Sequence, residues 1–180
     1  MNIIKTIIFI ILLFSVGVIL ENYDIFLSTL YGIDVFINIS GAVIPILIAT
    51  IMFLLSKERI TNIIGIVVIS IIFYRYSIIM PNMGIVTDML LPVLYTIMLP
   101  WFLSSNEKPQ LAYICGTMGA LIGADLLNLT KITELQAIAI SIGGAGIHDG
   151  VFLNGIVALT LVVLFDTLFK IISNRRKEAI

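Results

Sequence analysis

Polar residues cut this chain into long apolar runs. The first run covers residues 3–20, with Lys5 as its only charge and KTIIFIILLFSVGVIL at its heart. About 20 apolar residues in a helix cross the hydrocarbon of a bilayer, so the run reads as a first span. A basic start before an apolar stretch also describes a secretory leader. Ser15 and Gly17 are small enough for a cut after Gly17, but the length of the run favours an uncleaved span. Residues 21–35 carry Glu21, Asp24 and Asp34 with no basic residue and read as a loop. The second span is placed at 36–55. At about 100° per residue, Asn38, Gly41, Ala42, Pro45 and Ala49 share one face. Such a stripe of small residues lets a neighbouring helix approach closely. Pro45 is expected to kink the helix and free a carbonyl.

Lys57-Glu58-Arg59 forms a tight polar turn before a third span at 60–79, whose Arg75 and Tyr76 suit an interface. Met80 to Gly84 is a break. The fourth span, 85–103, has Asp88 near its start, Pro92 and Pro100 inside it, and Trp101 at headgroup level. SSNEKPQ (104–110) is a polar turn and 109–127 is the fifth span. The apolar stretch 135–146 reaches only about 18 Å as a helix, too short to cross. Glycines at 143, 144, 146 and 150 then break it. The segment 135–148 is expected to be a re-entrant half-helix, followed by a last span at 149–172. Irregular backbone survives at such depth only when protein covers it or a polar cavity runs beside it. The expected fold is therefore all-α: a single-domain polytopic membrane helix bundle over 1–180, with about six transmembrane helices and one re-entrant half-helix.

Composition supports the membrane and narrows the chemistry. Of 180 residues, 60% are hydrophobic and 12% charged, against about half and a quarter in soluble domains. A single core cannot absorb that surplus. A soluble enzyme is excluded, as are a nucleic-acid binder (net charge −1) and a disulfide scaffold (one cysteine, Cys115). Six spans put Lys5, Lys57, Arg59, Lys108, Lys170, Arg175, Arg176 and Lys177 on one side, and Arg75 and Lys131 on the other. The excess of basic residues marks the cytoplasmic side, so both termini are expected there, in the cell membrane. Asn38-Ile39-Ser40 and Asn128-Leu129-Thr130 match the glycosylation sequon, a short pattern that often arises by chance.

Ionisable groups at membrane depth are expensive and therefore informative. Asp166 lies one turn before Lys170 in the favourable order, and Asp88 has Arg75 as a candidate partner. Asp125 and Asp149 have no evident basic partner. In GTMGALIGADLLNL, residues Gly116, Gly119, Ala120 and Gly123 form a packing ridge. Thr117, Leu121, Asp125 and Asn128 lie toward the other side. Asp125 therefore faces a cavity or second neighbour, or else simply marks a helix end emerging into water. Asp149 follows a glycine-rich segment that can expose backbone groups to a ligand. It also stands where a carboxylate caps a helix. His148 is a candidate proton carrier. No cysteine or second histidine accompanies it, so no metal site and no cofactor is expected. Two close carboxylates share a proton. The pair suits a proton or cation site, and equally acid–base hydrolysis.

The motifs LIGADLLNL (121–129) and SIGGAGIHDGVFLNGI (141–156) resemble an uncharacterised family of polytopic membrane proteins, domain of unknown function 1614. INISGAVIPILIA (37–49) and PNMGI (81–85) are similar to two further motifs of that family, and the resemblance covers about residues 35–165. His148 departs from it, since a bulky aromatic precedes the aspartate there. The resemblance implies a membrane protein and no defined activity. A weaker similarity is to the di-aspartyl intramembrane proteases of the presenilin and prepilin-peptidase type. Gly146-Ile147-His148-Asp149 matches their G-x-G-D only in part, and a Pro-Ala-Leu element is absent.

Three functions fit these readings. The first is a small transporter or permeation protein resembling those with broken-helix sites. In it Asp125 and Asp149 bind a proton or small cation, with Asn128, Ser141, Gly143, Gly144, Gly146 and Asn154 as further ligands. The second is an aspartyl intramembrane hydrolase using Asp125 and Asp149 as the catalytic pair. The third is a non-catalytic membrane component that binds a protein or lipid partner. The expected partners are the lipid bilayer and a proton or small cation, with a second copy of the chain as a candidate and no nucleic acid.

Overall fold

Hydropathy and turn chemistry together set the elements of the structure, a computed structural model that describes residues 3–81, 83–104 and 106–178. Helix α1 (Ile3–Leu20) leads into strands β1 (Asp24–Leu30) and β2 (Ile33–Asn38). A wide π turn (Ile39–Val43) then runs into α2 (Ile44–Leu55). Helix α3 (Arg59–Tyr76) is followed by the hairpin β3 (Ser77–Met80) and β4 (Gly84–Thr87), then by α4 (Leu90–Leu103). Helix α5 (Lys108–Ala120) continues through a π turn (Leu121–Asp125) and a 3-10 segment (Leu126–Leu135). Strand β5 (Ala139–Ile142), a 3-10 turn (Gly146–His148) and α6 (Gly150–Glu178) complete the chain.

The chain is mostly helical, and four stretches have the length and hydropathy to cross a membrane: Ile3–Leu20, Arg59–Tyr76, Lys108–Leu135 and Gly150–Arg175. Ile39–Leu55 and Leu90–Leu103 are apolar but shorter. The six full spans expected from hydropathy thus resolve into four of full length and two short helices. The spans placed at 36–55 and 85–103 begin as strand, which is why their helices fall short.

The all-α expectation is corrected by the strands. Residues 21–35, taken for a loop, fold as a hairpin with β2 because Tyr31 and Gly32 both adopt positive φ (52° and 81°). Two such residues between β-branched and aromatic runs make a tight hairpin turn. Leu30 pairs Ile33, and the antiparallel register runs to Asp24 opposite Asn38. The segment 135–148 is likewise not a half-helix. Gln136 (φ 53°) ends the 3-10 segment in a left-handed turn. Ala139–Ile142 then pairs in parallel with β2, from Asp34 opposite Ala139 to Ile37 opposite Ile142. The sheet order is β1-β2-β5.

Helix α5 is the centre of the bundle. Leu111, Ala112, Tyr113, Ile114 and Cys115 are all fully buried, the pattern of a helix enclosed on every side. It packs most extensively on α6 and α3. The expected glycine ridge divides between these two neighbours. Gly116 lies on Gly155 of α6, while Gly119 and Gly123 lie on Ile69 and on Ser70 and Phe73 of α3. The small stripe of the second segment is buried too, with Ala42 and Ala49 fully enclosed. Helix α1 covers α6 through Leu13 and Gly17, the latter beneath Ile147 and Phe152. Large apolar side chains stay exposed along the outer faces, including Ile4, Ile8 and Ile11 of α1 and Ile60, Ile63 and Val67 of α3. An apolar surface of that extent is stable in an apolar solvent.

The helices alternate in direction, so the turns gather at two ends. One end carries residues 56–59 together with Ser104, Asn106 and Glu107. The other carries all five strands, the end of α5 and the start of α6.

Candidate functional site

Both unpaired aspartates sit at the strand-bearing end. Asp125 is the last residue of the π turn that extends α5. Gly123 lets that turn form against α3, since any side chain there would collide with Ser70 C=O and Phe73. Such turns widen a helix locally and recur at functional sites. Asp125 Oδ2 is buried with no hydrogen-bond partner among the described residues.

Asp149 stands one residue before α6 with extended backbone (φ −71°, ψ 148°). Its Oδ1 accepts the Val151 N–H at 2.9 Å and its Oδ2 the Ala145 N–H at 3.4 Å. Asp149 therefore caps α6, one of the two roles its position offered. The same carboxylate also faces a cavity.

That cavity measures about 340 Å³ and is lined by both aspartates. Ala139, Ser141 and Gly144 form the β5 side of it, and Gly84 stands at the tip of the β3–β4 hairpin. A second cavity of about 260 Å³ is lined by Val86, Thr87 and His148 as well as by the two aspartates. Ile85, Asp125, Ala145 and Asp149 belong to both linings, so the carboxylates stand where the two spaces meet.

The structure sorts the remaining candidates. Ser141 lines the first cavity, and its hydroxyl donates to Asp24 Oδ1 at 2.5 Å. Gly144 lines it as well. Gly143 and Gly146 adopt positive φ (71° and 60°) and serve packing. Their carbonyls lie so close to Gly41 that a Cβ there would strike both. Asn128 is buried and its amide donates to Ala124 C=O at 2.8 Å. Asn154 is fully buried in the bundle, donating to Gly116 C=O at 3.1 Å and to Thr96 Oγ1 at 3.3 Å. Neither asparagine lines the cavities with the aspartates. The sequon nitrogens of Asn38 and Asn128 are spent within the fold, Asn38 donating to Glu21 C=O at 2.7 Å. Arg75 and Asp88 form no ion pair among the described residues. Asp88 Oδ1 instead accepts the Leu90 N–H at the start of α4, at 3.2 Å. Asp166 and Lys170 do pair, at 2.7 Å.

Sequence reasoning missed β5 and the hairpin wall. The β5 signal was present: Ile138, Ile140 and Ile142 alternate with Ala139 and Ser141, a period of two that marks a strand. The glycines that follow drew attention to a helix break instead.

These features define a mostly helical apolar protein with a paired-carboxylate cavity at one end of its bundle. The chain belongs to the family described as Protein of unknown function (DUF1614), whose model matches residues 3–161. The match runs from α1 through the first turns of α6 and includes both aspartates. No curated protein and no solved structure matches the chain.

Proposed function

We propose that this chain is an intramembrane aspartyl hydrolase that cleaves amide bonds. The observation that carries the reading is the placement of Asp125 and Asp149 at the junction of two cavities. Two carboxylates in a shared, partly water-excluded space hold one proton between them. Asp149 accepts two backbone N–H groups at a helix start, which favours its charged form. Asp125 Oδ2 has no donor, so the shared proton resides there.

The step follows from that division. Asp149 takes a proton from water as the water oxygen bonds to the amide carbon. Asp125 gives its proton to the carbonyl oxygen, forming a neutral tetrahedral diol. The C–N bond then breaks, and the nitrogen leaves with the proton that Asp149 had taken. One diol hydroxyl returns its proton to Asp125 as the carboxyl product forms. Water is consumed, the pair keeps one proton, and no other reactant is needed.

The apolar helices support a setting in the bilayer, with Ile39–Leu55, which joins the π turn to α2, and α4 as the two shorter of six passes, and the basic residues holding both termini in the cytoplasm. Transport has less support. The amide nitrogens of Asn128 and Asn154 are occupied in helix packing, and the broken segment is a strand followed by glycines whose carbonyls pack on Gly41. The test is cleavage of a panel of membrane-embedded reporter peptides by the full chain in proteoliposomes. Asp125→Asn and Asp149→Asn should each lower the rate at least about 100-fold at unchanged folded yield. Undiminished cleavage in both variants would overturn the proposal. Proton or cation flux that depends on Asp125, with no peptide cleaved by the unmodified chain, would return the site to transport.

A further inference from the structure

Strand β5 is the outer strand of its sheet, and its residues line the same cavity as the carboxylates. Asp34 N–H donates to Ile138 C=O at 3.0 Å, which fixes the phase of the parallel ladder. Backbone groups of Ile140 and Ile142 are turned toward β2, and those of Ala139 and Ser141 are turned away from it. Ala139 and Ser141 both line the larger cavity beside Asp125 and Asp149. The Ser141 carbonyl accepts the Gly144 N–H at 3.1 Å. The Ala139 N–H and C=O and the Ser141 N–H make no hydrogen bond among the described residues. An edge of this kind is a template for another extended chain.

The opposite wall is extended as well. Gly84 and Ile85 of β4 line the larger cavity, and Ile85, Val86 and Thr87 line the smaller one. An occupant that begins along β5 therefore meets the carboxylates at the junction and leaves along β4. The free groups on β5 alternate at strand spacing, which matches a polypeptide backbone rather than a sugar, a lipid headgroup or an ion. Ile85, Ile140 and Leu129 supply apolar surface for side chains.

Resting on the hydrolase reading, we infer that the substrate is a polypeptide segment in extended conformation, docked as an added strand on the Ala139–Ser141 edge of β5 with its scissile amide between Asp125 and Asp149. Main-chain pairing of this type gives affinity with little sequence demand, and pockets for alternate side chains give selectivity. A helical substrate would have to unwind locally first.

The experiment is an N-methyl scan of one peptide that the full chain cleaves in proteoliposomes. Each backbone amide on the β5 side of the cut is methylated in turn, and KM and kcat are measured. Strand docking predicts a period of two: methylation at every second amide raises KM about tenfold, and the positions between are unaffected. Ala139→Pro should have a similar effect on KM, because it deletes an N–H turned away from β2 and leaves the ladder intact. A uniform or helical pattern in the scan would overturn strand docking while leaving the hydrolase in place, and the scan needs no variant to fold. An unmodified chain that cleaves no peptide would remove the hydrolase and this inference together.

Discussion

The two ends of the bundle hold their carboxylates in opposite ways. At the turn end, Glu107 accepts the Ser56 hydroxyl at 2.5 Å and the Lys57 N–H at 3.3 Å, and its own N–H takes Ser104 Oγ at 2.9 Å. The hydrogen bond from Ser56 holds the Glu107 carboxyl below the usual carboxylate range. Asn106 N–H on Glu58 and the Gln110 amide on Met52 C=O join the same helices further. At the strand end, Asp125 has a buried oxygen with no partner and open space in front of it. Glu107, which ties helices together, has both oxygens filled by donors, although Glu58 Oε2 at the same end is buried without a partner among the described residues. A buried acid left unfilled beside a cavity costs stability, and the chemistry proposed above accounts for retaining it.

The largest test of that contrast is the unfilled acid itself. Asp125→Asn should abolish cleavage, by about 100-fold or more, with little change in the thermal midpoint in detergent. A large loss of stability would place Asp125 with the structural acids. Next is Gly41→Ala. Its Cβ would strike the carbonyls of Gly143 and Gly146, an overpacking worth about 1–3 kcal/mol. It should displace the loop that carries Asp149, lowering stability and cleavage together. Stability lost with kcat untouched would mean the loop does not position Asp149.

At the other end, Ser56→Ala should cost about 1 kcal/mol at neutral pH, with cleavage unchanged. The pH dependence has a fixed sign. The folded Glu107 carboxyl titrates below its unfolded value, so its contribution is complete above that unfolded value. It is lost as pH falls through the folded one. Urea midpoints of the parent and Ser56→Ala chains should therefore converge in acid. Divergence in acid would contradict the role of Ser56. The smallest effect belongs to Lys170→Ala, which breaks the exposed pair with Asp166 and should cost at most about 0.5 kcal/mol.

The two ends also differed in how far the sequence revealed them. Lys57-Glu58-Arg59 and SSNEKPQ announced the turn end, because charge cannot stay in an apolar run. Asp125 and Asp149 stood out on the same ground, being acids without a basic partner in an apolar chain. The walls around them were harder to read. Apolar runs long enough for a span hid the strands at 36–38 and 84–87, and periodicity does not distinguish short apolar strands from buried helix. Asn38 read as part of a helix face. It is instead a junction that accepts from Gly41 N–H at 2.8 Å and Ser40 Oγ at 2.9 Å while donating to Glu21 C=O. The parallel pairing of β2 with β5 joins residues distant along the chain, and no local pattern encodes it.

That pairing has a consequence for biosynthesis. Domains form progressively as a chain is made, and contacts between distant residues form late. The ladder needs Asp34–Ile37 and Ala139–Ile142 together, and Asp149 lies later still. Neither the β2–β5 ladder nor the carboxylate pair exists while only the first five helices have been made. A chain with hydrolytic capacity would therefore stay inert while it is being made, and acquire its activity only when its last helix is in place.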